Sequence, residues 1–227
     1  TNGAVINLGA DFTSLASLTL AAPVVLGANT TLTGVDVAFT GTVKSDGTNR
    51  SLTVTDSGTT TFAAAVGSAV AGEELASLTV NGGGTTAING GAITTTGGQT
   101  YTDAVVLGAD TTLSGAGVNF ASTVKSDGVA NRSLTVADSG TTTFSGAVGS
   151  AVALEKLSSL TVNGGGTTAI NGGAITTTGG QTYSNAVVLG ATTTLTGVNV
   201  GFGGTVKSDG VANRSLTVAD SGTTTFS

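Results

Sequence analysis

Short runs of strictly alternating apolar and polar residues recur along the chain. In Ser51-Leu52-Thr53-Val54 the two aliphatics point one way and the two hydroxyls the other, as they do at Leu78/Val80, Leu134/Val136 and Leu216/Val218. A period of two is that of a β-strand with one buried face. Gly, Asn and Asp punctuate the runs at short intervals, as turns between short strands require. The pattern predicts an all-β fold with an inward set that also includes Phe62, Phe144, Phe226, Ile88, Ile170, Val105, Leu107, Leu113, Val124 and Val206. Thr and Ser make up most of the outward face.

The runs are repeated. Val-Lys-Ser-Asp-Gly starts at Val43, Val124 and Val206, and Asn81–Tyr101 recurs unchanged at Asn163–Tyr183. The long period is therefore about 82 residues. The first copy is shorter. A long block separates Leu78 from Val105, and Leu160 from Val187, whereas the matching Leu18 is followed almost at once by Val24. A repeat protein loses a block cleanly when the block is close to a structural unit, so the missing stretch of about 21 residues approximates one coil. Four coils of about 20–21 residues fill the long period. Such a coil cannot bury its apolar face alone, but a stack can. The expected fold is a parallel β-helix (β-solenoid) over 1–227. The copies are 1–63 (three turns), 64–145 and 146–227 (four turns each). Gly3 aligns with Ala64 and Gly146, which gives eleven whole turns and a rod of roughly 50 Å at about 4.8 Å per turn.

Composition narrows the chemistry. The 227 residues include 37 Gly and 45 Thr, one Pro, and no Cys, His, Met or Trp; net charge is -6. Without Cys or His, the usual ligands of zinc, copper and iron–sulfur sites are missing. Ser–His and Cys–His nucleophile pairs cannot be built either. The acidic balance argues against nucleic acid, and no apolar run is long enough to span a membrane as a helix. With 39% hydrophobic residues and small net charge, the chain does not have a disordered composition. No charged-then-apolar leader opens it, so an export signal is expected outside these residues.

The dense charge lies in three copies of one motif: Lys44, Asp46 and Arg50; Lys125, Asp127 and Arg132; Lys207, Asp209 and Arg214. Asp-Gly marks a turn, so the plain reading is a solvated corner. The functional one is a ligand patch recurring every four turns, about 19 Å apart. A second acid follows in an Asp-Ser-Gly turn at Asp56, Asp138 and Asp220. Clustered carboxylates suit calcium, yet Asn81-Gly82-Gly83-Gly84 carries no acid, unlike calcium-binding β-roll turns. The expectation is therefore no cofactor, with calcium as the alternative. The same glycine run lacks the Lys-Ser/Thr of a phosphate loop. Glu73, Glu74, Glu155 and Lys156 sit where a longer corner loop or one helical turn is expected. Tyr101 and Tyr183 are read as half-buried stacking residues. The Thr triplets at 59–61, 94–96, 141–143, 176–178, 192–194 and 223–225 are not spaced by about 20. They should not form one file per turn, which makes ice binding a minor reading beside polysaccharide binding.

The strings at 77–101 (SLTVNGGGTTAINGGAITTTGGQTY), 185–197 (NAVVLGATTTLTG) and 140–150 (GTTTFSGAVGS) resemble the repeat region of filamentous-haemagglutinin-like bacterial exoproteins. That resemblance implies a right-handed parallel β-helix at the cell surface or released from it, serving as an adhesin or matrix fibre. Near-exact repetition leaves no deviant turn for an active site, so no enzyme is expected. The expected job is structural: a rod or filament that continues in the same chain or pairs end to end, or a stalk that presents a distal adhesive domain.

Overall fold

The computed structural model describes residues 3–227. Apart from one short 3-10 turn at Ala153–Glu155, every regular element is a β-strand, and every pairing is parallel. Each strand pairs with the one a full coil later, so the chain winds as a three-faced parallel β-solenoid. The first face carries one continuous ladder from Ile6 through Val24, Val43, Val66 and Ile93 to Leu113. It goes on through Val136, Val162, Tyr183 and Phe202 to Phe226. The second face runs from Phe12 through Val54 and Phe144 to Ser208. The third runs from Leu18 through Thr60 and Val124 to Val218. Isolated bridges at Val66 and Val148 close the gaps in these ladders. There are about ten turns, so ten rises of about 4.8 Å give a length of roughly 50 Å.

The alternation holds as expected. Arg50–Asp56 and Arg132–Asp138 bury every second side chain from Leu52 and Leu134 onward. Of the expected inward residues, all through Ile170 in the chain are buried. Val206, Leu216 and Val218 pack against the core from the last turn. Phe226, on the last described rung, is 65% exposed.

Two expectations change. The first concerns the coil. The first-face ladder climbs from Ile6 to Phe226 in ten steps, a mean of 22 per step rather than 20–21, and single steps range from 18 to 27. The count is about ten turns, not eleven. The second is the phase of the repeat. The Val-Lys-Ser strand lies on the first face at Val43–Ser45, the third at Val124–Ser126 and the second at Val206–Ser208. Between copies the chain passes eleven strand positions, or three and two-thirds turns instead of four. All three faces offer the same inward-facing slot, so nothing requires a repeat to close on a whole turn. The missing block does close on one: residues 81–101 hold Thr85–Ile88, Ala92–Thr94 and Gln99–Tyr101, one strand per face.

Aromatic rings show the same one-face shift. Phe39 stacks on Phe62 on the third face at 5.2 Å, and Tyr101, Phe120 and Phe144 stack on the second at 5.4 and 5.3 Å. Tyr183, Phe202 and Phe226 stack on the first at 5.4 and 4.9 Å. Tyr101 and Tyr183 are thus fully buried rather than half-buried. Each hydroxyl donates to a buried Gln, Gln99 at 2.8 Å and Gln181 at 2.9 Å. Desolvation pushes both phenols far above the ordinary tyrosine range.

Phe120 has a ring on either side and no exposed surface. Phe120→Ala should cost about 3–5 kcal/mol, because the rungs above and below cannot close around the cavity. Equilibrium denaturation would show this as a lower midpoint with an unchanged slope.

Candidate functional site

The charged motif folds into a two-level bracket that joins neighbouring turns at one corner. In the first bracket Asp46–Asn49 forms the lower loop, and Gly67–Glu74, one turn on, forms the upper. Arg50 grips Asp46 with two hydrogen bonds of 3.1 Å. Lys44 reaches up to Glu73 at 2.5 Å, and Ser68 donates to the other Glu73 oxygen at 2.9 Å. Ser45 and Asn49 both donate to the Glu74 carbonyl, at 2.7 and 2.9 Å. Ser45 also accepts from the Arg50 amide. The second bracket repeats the first. Lys125 meets Glu155 at 2.7 Å, Arg132 meets Asp127 at 3.2 Å, and Ser126 and Asn131 donate to the Lys156 carbonyl. Here the upper loop contains the 3-10 turn, so the segment is a corner loop in both copies and includes a helical turn in the second. In the third bracket Arg214 meets Asp209 at 3.2 Å.

The motif was legible in the sequence, but its partners Glu73 and Glu155 were not, because nothing local links residues 29 and 30 positions apart. The geometry also changes the ligand-patch reading. The three brackets occupy three different corners, since each copy shifts by one face, so Lys44, Lys125 and Lys207 do not form a file along one edge. Within the first two brackets each charge of the motif is answered inside the bracket. Among the described residues no group of three or more His, Cys, Asp or Glu gathers. Around the brackets stand apolar tips, with Val129 74% and Val211 85% exposed.

The second acid of each copy behaves differently. Asp138 is buried and accepts from the Gly117, Val118 and Gly140 amides and the Thr142 hydroxyl, at 2.5 to 3.0 Å. Asp220 binds the Asn199, Val200 and Gly222 amides and Thr224 in the same way. Gly117 has φ 111° and Asn199 φ 61°, left-handed conformations that turn their amides toward the carboxylate. In the first copy the equivalent residue is Asp36, which is not left-handed. Its own carboxylate accepts from Ser17 and from the Thr59 amide. Asp56 is left with one donor, Thr60 at 2.6 Å.

The Thr triplets do not share a file, as expected, but other threonines do. Thr31, Thr53, Thr79 and Thr100 stand directly above one another on the outside of the second face. Thr112, Thr135, Thr161 and Thr182 repeat this on the first face. This order was hidden because it depends on the register, not on sequence spacing.

Comparison with known protein families, curated proteins and solved structures finds no match for the chain. What is shown is the architecture, a parallel β-solenoid of about ten turns.

The bracket carboxylates predict an acid response. The Arg50 hydrogen bond lowers the pKa of Asp46, and the Lys44 and Lys125 ammonium groups lower Glu73 and Glu155. Amide donors, Ala130 first, lower Asp127. A depressed carboxylate contributes stability above its unfolded pKa and loses it as pH falls through the folded value. Thermal melts should therefore be level at neutral pH and drop below about pH 4. Lys44→Met with Lys125→Met should flatten that drop; an unchanged acid limb would mean that the brackets do not contribute.

Proposed function

We propose that the chain is the rod section of an extracellular structural fibre, of the kind found in bacterial surface adhesins and matrix filaments. The observation that carries this reading is the repeat unit's indifference to face. The same repeat is set on three faces in turn while the inward column is kept. Such a sequence extends length by near-identical turns. The likeness of residues 77–101, 140–150 and 185–197 to filamentous-haemagglutinin-like repeats supports a place at the cell surface. The hydroxyl-rich exterior suits exposure to water, and ladders and packing hold the rod without cross-links. In this role the rod either continues, or pairs with further solenoid, as a filament, or it holds a distal adhesive domain away from the cell. Electron microscopy of purified residues 1–227 tests this. Separate rods of about 50 Å indicate a spacer, and unbranched fibres with an axial repeat of about 4.8 Å indicate a filament. Compact particles lacking an axial repeat would overturn both.

The threonine files favour a second reading, in which the flat outer faces order water as an ice-binding surface does. The second face sets Thr53/Thr55 above Thr31/Thr33, pairs on adjacent turns. Growing ice crystals in the presence of the protein decide this. Faceted crystals or a freezing-point gap that Thr53→Lys abolishes would support it, and ordinary disc growth would dismiss it.

A further inference from the structure

Beneath the corner between the second and third faces lies a buried polar slot. The register sets Asp56, Gly82 and Asp103 in one column on three successive turns, since Thr55 pairs with Asn81 and Val80 with Tyr101. Asp56 and Asp103 follow the inward alternation and are 1% and 4% exposed. Between them the column holds only glycine, so no side chain separates the two carboxyls. Gly82 has φ 126° and lies directly on the Asp56 backbone, which excludes any larger residue there. Thr86, on the adjoining strand, stands one rung above Thr60, whose hydroxyl is on Asp56. It shares the level of Gly82 and Gly84.

Three oxygens of this slot are buried without a hydrogen-bond partner: Asp56 Oδ2, Asp103 Oδ2 and Thr86 Oγ1. The remaining carboxylate oxygens are used, Asp56 Oδ1 by Thr60 and Asp103 Oδ1 by the Gly83 amide at 2.8 Å. Among the described residues no Lys or Arg forms a salt bridge with either acid. Two buried carboxylates in one column, two rungs apart and without a counter-charge, are costly. Burial, and next the Thr60 bond working against it, govern Asp56, whose pKa is raised; the charge of Asp103 adds to the rise.

The next copy contains the same slot with its charge removed. Asp138, Gly164 and Asn185 form the column, and Thr168 takes the place of Thr86. Asp138 there is saturated by four donors. The unpartnered atoms are Thr168 Oγ1 and the Asn185 Nδ2 donor, and no carboxylate oxygen is left over. Only the first slot thus presents free anionic oxygens together with a free hydroxyl, the donor set of a hard cation.

We propose that the Asp56–Thr86–Asp103 slot binds one small hard cation of the calcium class, which bridges the two carboxylates across Gly82 and ties three turns together. The Asn185 slot does not bind it. Calcium is the probe, and Asp103→Asn is the decisive variant, because it gives the first slot the residue that the second already has. In chelator at neutral pH, Asp103→Asn should melt higher than the wild type, because one of two buried charges is gone. With calcium added, the wild type should gain melting temperature at one equivalent and the variant should not, so their order narrows or reverses. Calorimetric affinity should fall about tenfold or more in the variant, and Thr86→Val should weaken it in part. An equal calcium response in both proteins would place the ion elsewhere and overturn the proposal. No response in the wild type would overturn it too; a wild type that instead becomes more stable as pH falls, with Asp103→Asn indifferent, would assign the slot to a shared proton.

Discussion

Every feature of this molecule depends on the registration of one strand directly above the last. A parallel rung of about 4.8 Å fixes which residue lies over which, and the period of two fixes which of them faces inward. Once Val54 lies over Leu32 and Val80 over Val54, each column inherits its character from its neighbours. Rings stack on rings, hydroxyls stand over hydroxyls, and Asp56 and Asp103 fall in one column. A single slip by one residue would expose the core of a whole face.

That registration also explains what was legible in the sequence and what was not. Strands and their inward residues were legible, because alternation is local. The size of one coil could be inferred from the missing block, because whole turns can be removed without changing any register. The number of turns was not legible, because a quarter of the long period falls close to one coil while each copy makes three and two-thirds turns. Corner loops of unequal length, such as Gly67–Glu74, absorb the difference. Buried polar groups were invisible to a pattern of apolar and polar residues. Gln99 and Thr86 carry no apolar signal, and both lie inside. The charged corners were found from their motif, but the ion pairs of Lys44 and Lys125 reach across a whole coil and more.

The corner acids show how little is needed to change a site in such a stack. Asp56 and Asp138 occupy equivalent positions in near-identical strands. Asp138 is saturated because Gly117, one turn below, can adopt φ 111°. Asp56 is not, because residue 36 is an aspartate whose backbone stays outside that region. A substitution one turn away therefore determines whether a buried carboxylate is a structural cap or an open ligand. In a solenoid the environment of a residue belongs as much to its vertical neighbours as to its own strand.

The one-third offset of the repeat has a consequence for how such a rod changes in length. Each full copy adds about 18 Å and also advances the chain by three and two-thirds turns, so gaining or losing a copy re-aims everything beyond it by about 120°. Only three azimuths exist, and three copies restore the first. A gene that varies its copy number would thus step a distal segment through three compass directions as it lengthens, coupling reach to orientation without altering a single residue of the core.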